Sequence, residues 1–142
     1  MKRHLLLGAL LIVLGASCLG QAPQSSPCAS FPCVVASISL ADQTMPFTNA
    51  VIYTPPASGL FRVTYYFEAD SRGIGANWTM TWSWTDDLKA ETTPPVYLQP
   101  GRYSNSGVPA MRVLAGRSIT CTVARVSGSG SYSLFATVEQ FQ

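Results

Sequence analysis

The sequence predicts an all-β fold, an antiparallel, jelly-roll-like β-sandwich of about eight short strands, and three observations point that way. Apolar and polar residues alternate in short segments separated by turn residues, which is the period of strands rather than helices. No window of helical length shows a 3.6-residue apolar stripe free of Gly and Pro. Charged residues make up 11% of the chain and apolar residues 47%, too apolar for disorder and well below the usual charged share of about 25%.

The chain divides into a signal peptide over 1–20, a linker over 21–32 and a β-sandwich domain over 33–142. Met1, Lys2, Arg3 and His4 form a basic start, and the apolar stretch 5–14 is too short to span a bilayer, for which about 20 residues are needed. Small residues follow at Gly15, Ala16, Ser17 and Gly20, so cleavage after Gly20 is expected. The run Leu14-Gly15-Ala16-Ser17-Cys18 also resembles a lipobox, which makes Cys18 a lipidation candidate and leaves a lipid anchor open. Residues 21–32 are rich in Pro, Ser and Gln with no apolar period, as in a tether. The expected location is secreted, periplasmic or at a bacterial cell surface.

Strands are expected at 34–40, 49–53, 60–69, 77–85, 96–98, 110–114, 118–126 and 131–141. In 60–69, Phe61, Val63, Tyr65 and Phe67 alternate with Arg62, Thr64, Tyr66 and Glu68, so one side faces a core and the other water. In 77–85, Trp78, Met80, Trp82 and Trp84 alternate with Thr79, Thr81, Ser83 and Thr85, and Asp86-Asp87 supplies turn chemistry at the end. The segment 59–68 matches 130–139 in alternation, as two equivalent central strands would.

Three cysteines follow Gly20. Cys28 and Cys33, in a loop constrained by two prolines, are expected to form a disulfide in an oxidising compartment. Cys121 alternates with Ile119 and Val123 and reads as a small buried apolar residue with a free thiol.

Charge and residue types exclude several functions. Of nine basic residues, Lys2 and Arg3 belong to the leader, so seven remain against seven Asp and Glu, and the domain is neutral. That removes the basic footprint of nucleic-acid binding and the basic run that favours an anionic membrane, leaving a lipid on Cys18 as the one membrane link. The single histidine is His4, in the leader, so neither a Ser-His-Asp set nor a zinc site can be built, and no enzyme is expected. A pair among Glu68, Asp70, Asp86, Asp87 and Glu91 could still act as glycosidase carboxylates. Asp70, Asp86, Asp87 and Glu91 are also the candidate Ca²⁺ ligands, in no EF-hand spacing; no other cofactor is expected.

For binding, the aromatic residues carry the signal. The alternation of Trp78, Trp82 and Trp84 reads as the core of one sheet, with Trp78, at the strand start, expected to reach the surface. Tyr66 stands on the polar register of its strand, and Tyr97 and Tyr103 are placed in loops as further ligand-binding candidates.

The sequence Tyr53-Thr54-Pro55-Pro56-Ala57-Ser58-Gly59-Leu60-Phe61-Arg62-Val63, the run Thr81-Trp82-Ser83-Trp84-Thr85-Asp86-Asp87 and the closing Gly128-Ser129-Gly130-Ser131-Tyr132-Ser133-Leu134 resemble a poorly characterised β-domain of bacteriophage virion proteins and bacterial exported proteins. The resemblance covers about 34–141 and implies a jelly-roll-like domain that touches a surface, with no site residues to carry over. The leading functional expectation is thus an exported, non-enzymatic surface or interaction domain, adhesion-type or structural. A carbohydrate-binding module using exposed aromatics is the alternative, and a glycosidase-like enzyme comes third. The expected partner is a protein or glycan ligand, with self-association through exposed strand edges also open.

Overall fold

The computed structural model describes residue 28 and residues 30–70 and 75–142. The signal peptide expected over 1–20, with Cys18, and most of the tether lie outside the described residues. The described chain forms nine strands: β1 (Cys33–Gln43), β2 (Phe47–Tyr53), β3 (Gly59–Ala69), β4 (Asn77–Thr85), β5 (Ala90–Thr92), β6 (Val96–Leu98), β7 (Tyr103–Val113), β8 (Ile119–Ser127) and β9 (Tyr132–Gln140). One sheet has the order β1-β9-β3-β7, and the other β2-β8-β4-β5 with β6 also on β4. Every pairing is antiparallel.

β5 and β6 occupy one place beside β4, interrupted at Thr93-Pro94-Pro95, where proline has no N–H to give the ladder. Thr93 closes the gap: its N–H donates to the Trp82 carbonyl at 2.9 Å, and its hydroxyl accepts from the Trp82 N–H at 3.0 Å. Counted as one strand, β5 and β6 leave two interleaved four-stranded sheets, the eight-strand order of a jelly roll. The matched segments become β3 and β9, adjacent central strands of the first sheet.

The inner faces follow the two-residue period. β3 contributes Phe61, Val63, Tyr65 and Phe67, and β9 contributes Tyr132, Leu134, Ala136 and Val138. Facing them are Trp78, Met80 and Trp82 from β4 and Ile119, Cys121 and Val123 from β8. Aromatic pairs span the gap between the sheets: Trp78 with Tyr132 (ring centroids 4.5 Å), Trp82 with Tyr65 (6.3 Å) and Tyr53 with Phe61 (5.8 Å).

Trp78 is therefore a correction. Expected at the surface, its side chain has 0% exposure, and Trp82 has 1%. Neither indole N–H has a hydrogen-bond partner within the protein. An unpaired buried donor costs about 1–3 kcal/mol. Burying the roughly 200 Å² of an indole returns about 5 kcal/mol at 25 cal/mol/Å². Burial wins, and stacking on a ligand through Trp78 is removed with it. Trp84, near the strand end, stays partly exposed.

Irregularities concentrate on the sheet margins. On β1 an extra residue enters opposite β9 between Val34 and Ala36 and again between Leu40 and Gln43, where Asp42 has φ 52°. On β2 the register shifts between Phe47 and Ala50, at Asn49 with φ 51°, and the Asn49 N–H donates to Thr122 Oγ1 at 2.9 Å. On β7, Pro109 and Ala110 together face Arg62, so the proline sits in a bulge of an edge strand, where its missing donor costs little. Tyr103, expected in a loop, lies instead in β7, and Tyr97 lies in β6, the strand expected at 96–98. β7 begins seven residues before the expected strand because Ser104-Asn105-Ser106-Gly107 lacks the apolar alternation that would reveal it. The Cys28–Cys33 disulfide forms at the mouth of β1, with Cα atoms 6.1 Å apart, and Cys121 is a buried free thiol.

Two predictions follow from this packing. Gly128 has φ +75°, and a Cβ there would lie 2.2 Å from the Gly75 carbonyl oxygen; Gly116 has φ +71° but open space around it. Gly116→Ala should cost the left-handed penalty of about 1–2 kcal/mol, and Gly128→Ala distinctly more, in urea unfolding. Equal costs would show that the Gly75 backbone yields freely. The second prediction concerns alkali. Burial pushes the Cys121 thiol up to about 12 and the Tyr132 phenol also up to about 12, from ordinary values of 9.0 and 10.0. The folded state holds these protons more tightly than the unfolded chain, so both contributions are complete below pH 9 and are lost as pH rises towards about 12. Urea midpoints should fall over that window, and Cys121→Ala should move the onset from near pH 9 to near pH 10. A midpoint unchanged from pH 9 to 12 would contradict the assignment.

Candidate functional site

The outer face of the first sheet carries a band of exposed rings. Because Tyr65 and Phe67 point inward, Tyr66 must point outward, and in β9 the inward Leu134 and Ala136 put Phe135 on the same side. Tyr66 and Phe135 are register partners. Tyr103, opposite Glu68, stands diagonal to Tyr66 on β7. The rings meet, Tyr66 with Tyr103 at 5.6 Å and 21°, and Tyr66 with Phe135 at 6.4 Å. Phe135 is 41% and Tyr103 63% exposed, so the band adds little to the core and faces solvent.

Beside the band runs a row of short side chains in continuous register, Ser37, Thr137, Thr64 and Gly107, crossing all four strands. Beyond it stands a charged wall. Arg62 Nε donates to Glu139 Oε2 at 2.8 Å, and its guanidinium lies 5.0 Å from the Phe141 ring centre. The low row beside the rings is the floor of a shallow, open trough of about 430 Å³, lined by Ser37, Thr64, Tyr66, Phe135 and Thr137. The Tyr66 hydroxyl donates to Glu68 Oε2 at 3.2 Å. Shielding by its surroundings, and then this bond and the Glu68 charge, push the Tyr66 pKa up, so the phenol stays neutral and a donor.

The structure thus unites two of the sequence-derived binding candidates, Tyr66 and Tyr103, and separates the others. Tyr97 pairs with Thr79 on the outer face of the opposite sheet and is 70% exposed there. Trp78 lies in the core. Phe135 went unnoticed, although it stands among Ser133, Thr137 and Glu139 on the polar register of β9, as Tyr66 does in β3. The row of short residues is invisible in sequence, since its members come from four separate strands.

The candidate carboxylates are locally engaged: Asp86, Asp87 and Glu91 share the β4–β5 hairpin, and Asp70 lies apart at the end of β3. Asp86 Oδ1 accepts from the Leu88 and Lys89 N–H groups at 2.8 and 2.9 Å, which holds its carboxyl below the usual range. Asp87 pairs with Arg112, Glu91 with Lys89 at 3.4 Å, and Asp70 Oδ2 accepts from Ser131 Oγ at 3.0 Å. Among the described residues no three Asp, Glu, Cys or His side chains gather as a metal-binding group, so the four expected Ca²⁺ ligands do not converge.

No described protein family matches the chain, and no curated protein does. The resemblance to phage virion and bacterial exported β-domains therefore stands on its strand and turn patterns alone. Among solved structures, one described under "Bacillus endospore appendages form a novel family of disulfide-linked pili" is similar over 83% of this chain and 96% of that chain, at 15% identity and a TM-score of 0.45. At that level the likeness assigns no function to this chain.

Proposed function

We propose that the chain is an exported, non-enzymatic surface interaction domain, adhesion-type or structural, that engages its partner through the outer face of the β1-β9-β3-β7 sheet. The observation that carries this reading is the Tyr103–Tyr66–Phe135 band, three rings gathered in solvent where folding alone does not require them. Clustered exposed aromatics suit binding because they bring large area with few rotatable bonds. The spread of Asp70, Asp86, Asp87 and Glu91 into separate turn and ion-pair roles supports a non-enzymatic reading, since acid–base work needs two such groups across one cleft. The Cys28–Cys33 bridge supports export to an oxidising compartment.

The sheet margins support contact through a face rather than through an edge. β1, β2 and β7 carry bulges, and the fourth margin consists of two three-residue strands broken by prolines. Such edges are poor templates for adding a strand, whether from a ligand or from a second copy.

The test is retention of the full chain on intact cells of an expressing bacterium. Wild-type protein should partition to the cell surface, accessible to added protease. The triple variant Tyr66→Ser, Tyr103→Ser, Phe135→Ser, with unchanged circular dichroism, should be released severalfold more into the medium. Equal retention of both would remove this face as the interaction surface.

A further inference from the structure

Resting on that reading, we propose that the trough binds a neutral polysaccharide chain, laid across the strands with the faces of its sugar rings against Tyr66 and Phe135. Charge complementarity narrows the ligand first. None of the residues that line the trough is charged; at its margins Arg62 is paired with Glu139, and Glu68, whose carboxylate keeps its negative charge beside the neutral Tyr66 hydroxyl, stands on the far side of Tyr66. A charged ligand would find no countercharge in that lining, and an anionic one would also meet the Glu68 carboxylate. An uncharged ligand needs none.

The trough also discriminates between uncharged ligands. Its lining is mostly carbon, with the hydroxyls of Ser37, Thr64 and Thr137 along the row and the Arg62–Glu139 pair beyond it. A sugar ring matches this pairing, having an apolar C–H face and hydroxyls around its edge. An extended peptide does not. β9 and β3 are paired on both sides, so the backbone beneath the rings has no free N–H or C=O to offer. Peptide main-chain groups pressed there would be desolvated without partners, whereas sugar hydroxyls turned outward keep their water.

Dimensions agree. Neighbouring strands lie about 4.8 Å apart, so the row from Ser37 to Gly107 is about 14 Å long, room for a short run of sugar rings rather than one. Rows two residues apart along a strand are separated by about 6.7 Å, which sets the aromatic wall and the Arg62–Glu139 wall about 13 Å from each other.

The experiment is affinity electrophoresis of the oxidised full chain through gels containing β-glucan, xylan, galactomannan or alginate, with a proline-rich peptide titrated separately by fluorescence. Retardation is expected in at least one neutral polysaccharide and not in alginate. Tyr66→Ala should weaken it at least about tenfold. Thr64→Trp keeps every ring of the band but fills the trough, and should abolish retardation; both positions are on the outer face, and thermal melting confirms folding. Retardation by alginate alone, or binding of the peptide alone, would overturn the glycan assignment. So would neutral-polysaccharide binding that survives both variants, or no binding at all. If the glycan assignment fails while surface retention still depends on Tyr66, Tyr103 and Phe135, the interaction reading stands with a different ligand.

Discussion

Two indoles from β4 reach across the gap between the sheets, Trp78 to Tyr132 and Trp82 to Tyr65, and the rest of the architecture depends on that contact. Tyr132 is its hub, touching Phe47, Phe67 and Trp78, while its hydroxyl donates to the Met45 carbonyl at 3.2 Å, where the chain passes from β1 to β2. With charged residues only 11% of the chain, ion pairs have little to contribute, and apolar area must supply most of the cohesion. The unpaired N–H groups of the two indoles measure how strongly area dominates here.

Once these rings fix the inner faces, parity fixes the outer ones. Putting Phe61, Val63, Tyr65 and Phe67 inside leaves Arg62, Thr64, Tyr66 and Glu68 outside, and a slip of one residue would exchange the two sets. The trough is therefore a product of register in three ladders at once. Its short row exists because Ser37, Thr137, Thr64 and Gly107 fall opposite one another, and its rings meet because Phe135 falls opposite Tyr66. The bulges on β1 and β7 lie two to five residues from that row, so the edge strands bend without disturbing it.

What could be read in the sequence follows from this. The sandwich, its inward residues and the Cys28–Cys33 bridge were legible, because alternation and short Cys spacing are local signals. β5 and the first half of β7 were not, because strands of three residues, or strands rich in Ser, Asn and Gly, are held by pairing with their neighbours rather than by a pattern of their own. Trp78 was misplaced because a strand start is usually wet and an indole N–H usually finds a partner; here Tyr132 packs over the ring and Arg125 lies 5.7 Å from its centre. At the site, Tyr66 was legible as an aromatic on a polar register. Its partners were not, since Phe135 and Tyr103 lie 69 and 37 residues further along the chain and meet it only through strand order.

Placing the proposed binding face on the central strands has an energetic consequence. Tyr66 and Phe135 stand on β3 and β9, each paired along both sides, and both rings are held by their neighbours. A ligand laid there would not have to order a loop, which otherwise costs about 0.5–1.5 kcal/mol for each immobilised flexible side chain. The same rigidity limits adaptation, because the trough cannot reshape itself around a bulky or charged group without breaking the Arg62–Glu139 pair or the Tyr66–Glu68 bond. On the proposed face, selectivity would come from what the fixed surface rejects: its lining offers no countercharge, and the Glu68 carboxylate beside it disfavours anionic ligands first.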